Sequence, residues 1–133
     1  MHTLTIKQPW ASLIMSGRKR VENRGWKTDY RGPLAIHAGK AVDPPAFDFL
    51  EEIGIDTTEL RNAPTGVVLG TVELVDIVEF RPGCRQVNAF DQHDIQSDPF
   101  ACGPFCWILS NPRPLAKPIP ARGRLVLWDW NPS

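Results

Sequence analysis

Gln8-Pro9-Trp10-Ala11-Ser12-Leu13-Ile14-Met15-Ser16-Gly17-Arg18-Lys19-Arg20-Val21-Glu22-Asn23-Arg24 joins an apolar stripe, a stop signal and a set of ionisable side chains in one short run. Pro9 suits a first helical turn, where its missing N–H costs nothing, and Trp10, Leu13 and Ile14 recur at i, i+3 and i+4. The spacing predicts a short helix with one buried face. Gly17 can adopt the left-handed conformation that closes helices, so a sharp turn carrying Arg18 and Lys19 should follow, and then a strand. In an extended segment, Arg20, Glu22 and Arg24 share one face while Val21 and Asn23 point the other way. On pattern alone, that face reads as a solvated surface laced with weak ion pairs.

The same residues carry a resemblance. Gly17-x-Lys19-x-x-Glu22-x-Arg24 resembles the G-x-K-x-x-E-x-R signature of the ASCH (activating signal cointegrator homology) domain family, and Gln8-Pro9-Trp10-Ala11 resembles its lead-in. Arg31-Gly32-Pro33-Leu34-Ala35-Ile36-His37-Ala38, Pro64-Thr65-Gly66-Val67-Val68-Leu69-Gly70 and Leu125-Val126-Leu127-Trp128 are similar to ASCH segments in the same order, so the likeness spans nearly the whole chain. It implies an α+β, PUA-like small β-barrel with short helices packed at its edges, and a cleft lined by the signature.

With 133 residues, a 42% hydrophobic content and five Trp, the chain is expected to form a single packed domain over residues 1–133. The 15 basic and 15 acidic side chains balance, but unevenly: residues 1–40 hold eight Lys or Arg against two acids, leaving the remainder acidic. Such an asymmetry can produce a basic footprint on one side. No apolar run approaches the length of a membrane span and no signal-peptide order opens the chain, so no membrane partner is expected and the location is read as cytoplasmic. Cys84, Cys102 and Cys106 form no C-x-x-C pair and are read as reduced thiols.

Along the chain, Thr3 to Lys7 alternates as a first strand with Leu4 and Ile6 on one face. Leu34 to Ala38 resumes alternation after the Arg31-Gly32-Pro33 turn and is expected to form a hairpin with the signature strand, with His37 off its core stripe. Asp43 is a candidate N-cap for a helix with Ala46, Phe49, Leu50 and Ile53 on one face, in an acidic insertion over residues 43–63. Val67 to Phe80 reads as a long strand bent at Gly70. The loop after it carries Asp91, His93, Asp94 and Asp98, read as a solvated acidic loop whose spacing matches no metal motif. Phe105 to Leu109 reads as a buried strand, Asn111 to Pro114 as a proline-stiffened connection continued by Pro118-Ile119-Pro120, and Leu125 to Trp130 as the last strand.

The resemblance implies binding of RNA, single-stranded nucleic acid or a modified nucleoside, with no cofactor. Trp10 and Trp26 offer planar faces for a base, and Glu22 could accept from an exocyclic amine. Arg18, Arg20, Lys27 and Arg31 are candidates for phosphates. Ser12, Gly17, Lys19, Arg24 and His37 complete the expected ligand-binding set. Packing is the competing role for Trp10, a structural hydrogen bond for His37, and mutual pairing for Glu22 and Arg24. Two enzymatic alternatives follow from relatives. Some small ASCH proteins hydrolyse the amide of acetylcytidine with a lysine, a hydroxyl residue and a distant carboxylate. Lys19 matches that lysine, but Glu22 stands where those enzymes carry threonine, so Lys19 and Glu22 would be the catalytic residues. The second alternative is metal-dependent ribonuclease action.

Overall fold

The computed structural model describes residues 1–80 and 92–132. Strands β1 (His2–Gln8), β2 (Val21–Arg24), β3 (Gly32–Val42), β4 (Val67–Glu79), β5 (Phe105–Pro120) and β6 (Leu127–Asp129) form one mixed sheet in the order β2-β5-β4-β3-β1-β6. Among the described residues two short helices, α1 (Trp10–Met15) and α2 (Pro45–Glu52), and two single 3-10 turns accompany the sheet in an α+β arrangement. The expected closed barrel is not formed: among the described residues β2 and β6 end the sheet and do not pair with each other. The sheet curls instead, and a side chain crosses the gap, with Arg24 at the end of β2 donating to the Thr5 carbonyl of β1 at 2.8 Å.

Alternation along β1 buries Leu4 and Ile6, and α1 sets Ala11, Leu13, Ile14 and Met15 inward. All of these except Leu13 meet Leu34, Ile36, Leu74 and Trp107 in the main core. Gly17 stands at φ +80, where a left-handed residue was expected, and the backbone N–H of Lys19 bonds back to the Leu13 carbonyl. Helix α2 packs Phe47 and Leu50 against Leu13, Leu60 and Phe100 in a second cluster. Its N-cap is Pro44 rather than Asp43, whose carboxylate instead accepts from the Trp10 indole.

Three expectations about strands fail for physical reasons. β3 is not a hairpin partner of β2; it runs parallel to β1 and antiparallel to β4 in the middle of the sheet. Both of its faces are therefore covered, and Ala35 and His37 are as buried as Leu34 and Ile36. The prolines after Ser110 do not break β5. Beyond Ile108 that strand pairs only with β4, so it has a free edge on which a missing N–H costs nothing. At the C-terminal end, only Leu127–Asp129 pair with β1, while Leu125 and Val126 stay out of the ladder.

Candidate functional site

At the seam of the curled sheet lies a cleft of about 1080 Å³, walled by β1, β2, the end of β3, both helices and residues 124–126. Lys19, Glu22 and Arg24 of the signature line it. Lys19 and Glu22 are both buried, and the Lys19 ammonium donates to Glu22 Oε1 at 2.9 Å and to the Val21 carbonyl. The other carboxylate oxygen of Glu22 lies 3.5 Å from the Arg24 guanidinium. A four-residue strand beginning directly after the helix-closing turn makes this possible, because it sets Glu22 and Arg24 on one face with Lys19 beneath them. The Nε of Arg24 is buried and has no hydrogen-bond partner among the described residues.

Trp10 joins core and cleft. It packs against Phe49 and Phe100 with ring centroids 6.2 Å away in each case, its indole N–H is fixed by Asp43 at 2.9 Å, and the Lys19 ammonium sits 5.6 Å from its ring. Trp26 is held edge-on by buried Trp107, at 4.8 Å and 80°, and Trp107 donates its indole N–H to the Trp26 carbonyl. Both cleft tryptophans are half-buried.

None of the remaining expected residues, Lys27 included, lines the cleft. Ser12 is turned to Gln8, whose side-chain amide it meets at both the hydroxyl and the backbone N–H. Gly17 shapes the turn, and Arg18 is exposed with Nε on the Ser16 hydroxyl. Arg31 caps the carbonyls of Thr28 and Tyr30. Arg20 leaves the shared face altogether, because the ladder of β2 starts only at Val21; its guanidinium pairs with Asp98 at 3.1 Å. His37 is buried under residues 121–123, its Nε2 donating to the Ala121 carbonyl at 2.7 Å and its Nδ1 facing the Thr5 hydroxyl at 3.2 Å. It is a structural residue, the reading that competed with cleft lining.

Other contributors escaped the sequence reading. Lys7 sits on β1, and Lys40 lies near the end of β3. Arg124 comes from just before the segment read as the last strand. With Lys19 and Arg24 they give the lining five cationic side chains against two carboxylates, Glu22 and Asp43, an excess of three in a chain of zero net charge. Asn23, on the opposite side of β2 from the charges, accepts from the backbone N–H groups of Cys102 and Gly103 at 2.9 and 3.0 Å and donates to the Phe100 carbonyl at 2.7 Å. It stitches the loop bearing Phe100 and Cys102 to the cleft wall. An asparagine facing away from the charged stripe gave no signal of this.

Among the described residues the acidic loop does not gather ligands. His93 bonds to Asp76 at 3.0 Å, Asp98 is taken by Arg20, and Asp91 lies outside the described residues, as does Cys84. Among the described residues no group of three or more His, Cys, Asp or Glu could hold a metal ion, and no helix is long and apolar enough to cross a membrane.

The ASCH domain family matches residues 4–119, which include the whole signature. The chain is also similar to Activating signal cointegrator 1 of Homo sapiens, 34% identical over 131 residues, and to the protein of that name from Mus musculus, 33% identical over the same length. Each alignment covers 94% of this chain and 21% of the relative, so the chain spans about a fifth of the length of the curated relatives it matches. A family match over most of the chain, with Lys19, Glu22 and Arg24 of the signature lining the cleft, places this protein in the ASCH domain family, with its PUA-like fold.

Proposed function

We propose that the cleft binds single-stranded RNA, without turnover, by holding a base beside Trp10 and Trp26 and the adjoining phosphates on Lys7, Lys40 and Arg124. The observation that carries this reading is the cationic excess gathered around two half-buried tryptophans in a neutral chain. Cations that line one cleft focus field on an anionic ligand, whereas the same charges scattered over the surface would not. Stacking on an aromatic face contributes roughly 1–3 kcal/mol per base and tolerates any sequence. Glu22 lies between the Lys19 and Arg24 cations and, as a carboxylate, accepts only; an exocyclic amine such as that of cytosine is its natural partner. The unpartnered Nε of Arg24 is a donor awaiting an acceptor.

The arrangement favours binding over amide hydrolysis. Lys19 is engaged by a carboxylate and a carbonyl rather than by a hydroxyl. The hydroxyl of Thr5, which does line the cleft, already accepts from the Trp128 indole at 3.0 Å and faces His37. Titration of the protein with short single-stranded RNA at low salt should quench tryptophan emission, and Trp10→Phe should remove part of the quench. A flat titration removes the reading. Acetylcytidine turnover by the pure protein, lost in Lys19→Ala, would replace it with hydrolysis.

A further inference from the structure

Residues 121–128 form a strap whose two ends are pinned at one buried point. At one end Ala121 accepts from His37 and donates its own N–H to the Gly66 carbonyl. Gly123 lies flat on the same pair of residues: a Cβ there would stand 2.8 Å from the His37 ring and 3.0 Å from the Thr5 hydroxyl. At the other end Trp128 donates to Thr5 at 3.0 Å and packs edge-on against His37 at 5.5 Å. Between these anchors, Arg124, Leu125 and Val126 project along the cleft rim. Leu125 is 88% exposed and Val126 57% exposed. Val126 also holds φ at +53, a left-handed conformation that a β-branched residue adopts only under strain. A single exposed leucine is ordinary. Two adjacent apolar residues, one strained, held out of the core at the rim of a cationic cleft are not explained by packing.

We propose that Arg124–Leu125–Val126 is the ligand-gripping edge of the cleft: Leu125 covers the outer face of a bound base while Arg124 takes its phosphate. This assignment rests on the RNA reading above and adds residues that the signature does not contain. The occupant follows from charge and shape together. Arg124 and Lys40 are exposed at the rim, and neither has a carboxylate within ion-pair distance among the described residues. An apolar tip beside free cations suits a nucleotide, which presents a flat apolar face beside an anion. The pinned ends keep the strap in place before ligand arrives, so little ordering is needed on binding.

The test uses fluorescence anisotropy with a labelled single-stranded RNA, beside thermal melts, on the wild-type chain, Leu125→Ser and Val126→Gly. Leu125→Ser should weaken binding about fivefold, the cost of withdrawing roughly half a leucine side chain from a contact. Its melting temperature should not move, because the side chain is almost wholly exposed in the free protein. Val126→Gly should raise the melting temperature by about 3 °C by relieving the left-handed backbone, and weaken binding about threefold by loosening the strap. Wild-type binding that neither variant changes overturns the strap assignment alone, as does a lowered melting temperature in either variant. Absence of binding by the wild-type chain overturns the RNA reading and the strap assignment together.

Discussion

Lys19 and Glu22 offer the sharpest test of whether the signature serves the fold or the ligand. The two ions are buried together at 2.9 Å, with side-chain exposures of 3% and 9%. At an effective dielectric constant of about 20, that separation gives a gross attraction of roughly 6 kcal/mol. Removing each ion from water costs several kcal/mol, so the pair nets close to zero. Breaking it is another matter. Lys19→Met leaves Glu22 with only the longer contact to Arg24, and Glu22→Leu strands a buried ammonium on the Val21 carbonyl. Each single variant should lose about 3–5 kcal/mol in urea unfolding followed by tryptophan fluorescence. The double variant Lys19→Met/Glu22→Leu should return to within about 1 kcal/mol of wild type, because Arg24 keeps its bond to Thr5 and some contact with water. The refolded double variant should nonetheless lose at least about tenfold in RNA affinity, having lost its acceptor for the base. A double variant that costs the sum of the singles, or one that folds well and still binds RNA at wild-type strength, would refute the argument.

Other sites give independent readouts. Asn23→Ala should cost about 3 kcal/mol, since it leaves the Cys102 and Gly103 amides and the Phe100 carbonyl without their partner; chemical unfolding measures this directly. Cys102 is exposed on the cleft wall while Cys106 is buried, so in a Cys84→Ser background a maleimide should label Cys102 alone, block RNA binding, and be slowed by prior addition of RNA. Glu51 accepts from the Thr57 hydroxyl and the Arg61 guanidinium, and the Thr57 bond leads in holding its carboxyl below the ordinary value. A depressed folded-state pKa contributes stability that is present above the unfolded value and lost as pH falls through the folded one. Acid melts between about pH 5 and pH 3 should therefore show a smaller loss in Thr57→Val than in wild type.

Local signals carried the N-terminal half of the site. The i, i+3, i+4 stripe of α1, the closing Gly17 and the alternation of Glu22 with Arg24 are short-range features, and their geometry followed from spacing. The α+β class with short edge helices came from the family resemblance, while single elements such as β1 and α2 followed from their own apolar spacing. What depends on long-range pairing was not. Nothing near residues 34–38 says that their partners are β1 and β4, so the burial of His37 on the second face could not be read from its own alternation. The prolines of β5 look like a connection until the free edge beyond Ile108 is known. Arg20 has the right parity for the charged face, yet its position just outside the ladder lets Asp98 take it. Lys40, near the end of β3, and Arg124, ahead of β6, reach the cleft from positions far apart in sequence, and only the curl of the sheet reveals the cationic rim.

The central claim, a cationic cleft that grips a nucleic-acid backbone, is tested most directly by the salt dependence of RNA affinity. Three phosphate contacts, from Lys7, Lys40 and Arg124, predict that log K for a single-stranded oligonucleotide falls against log salt with a slope of about −2, and that Arg124→Ala reduces the slope by about 0.7. A slope near zero, or one that Arg124→Ala leaves unchanged, would contradict it.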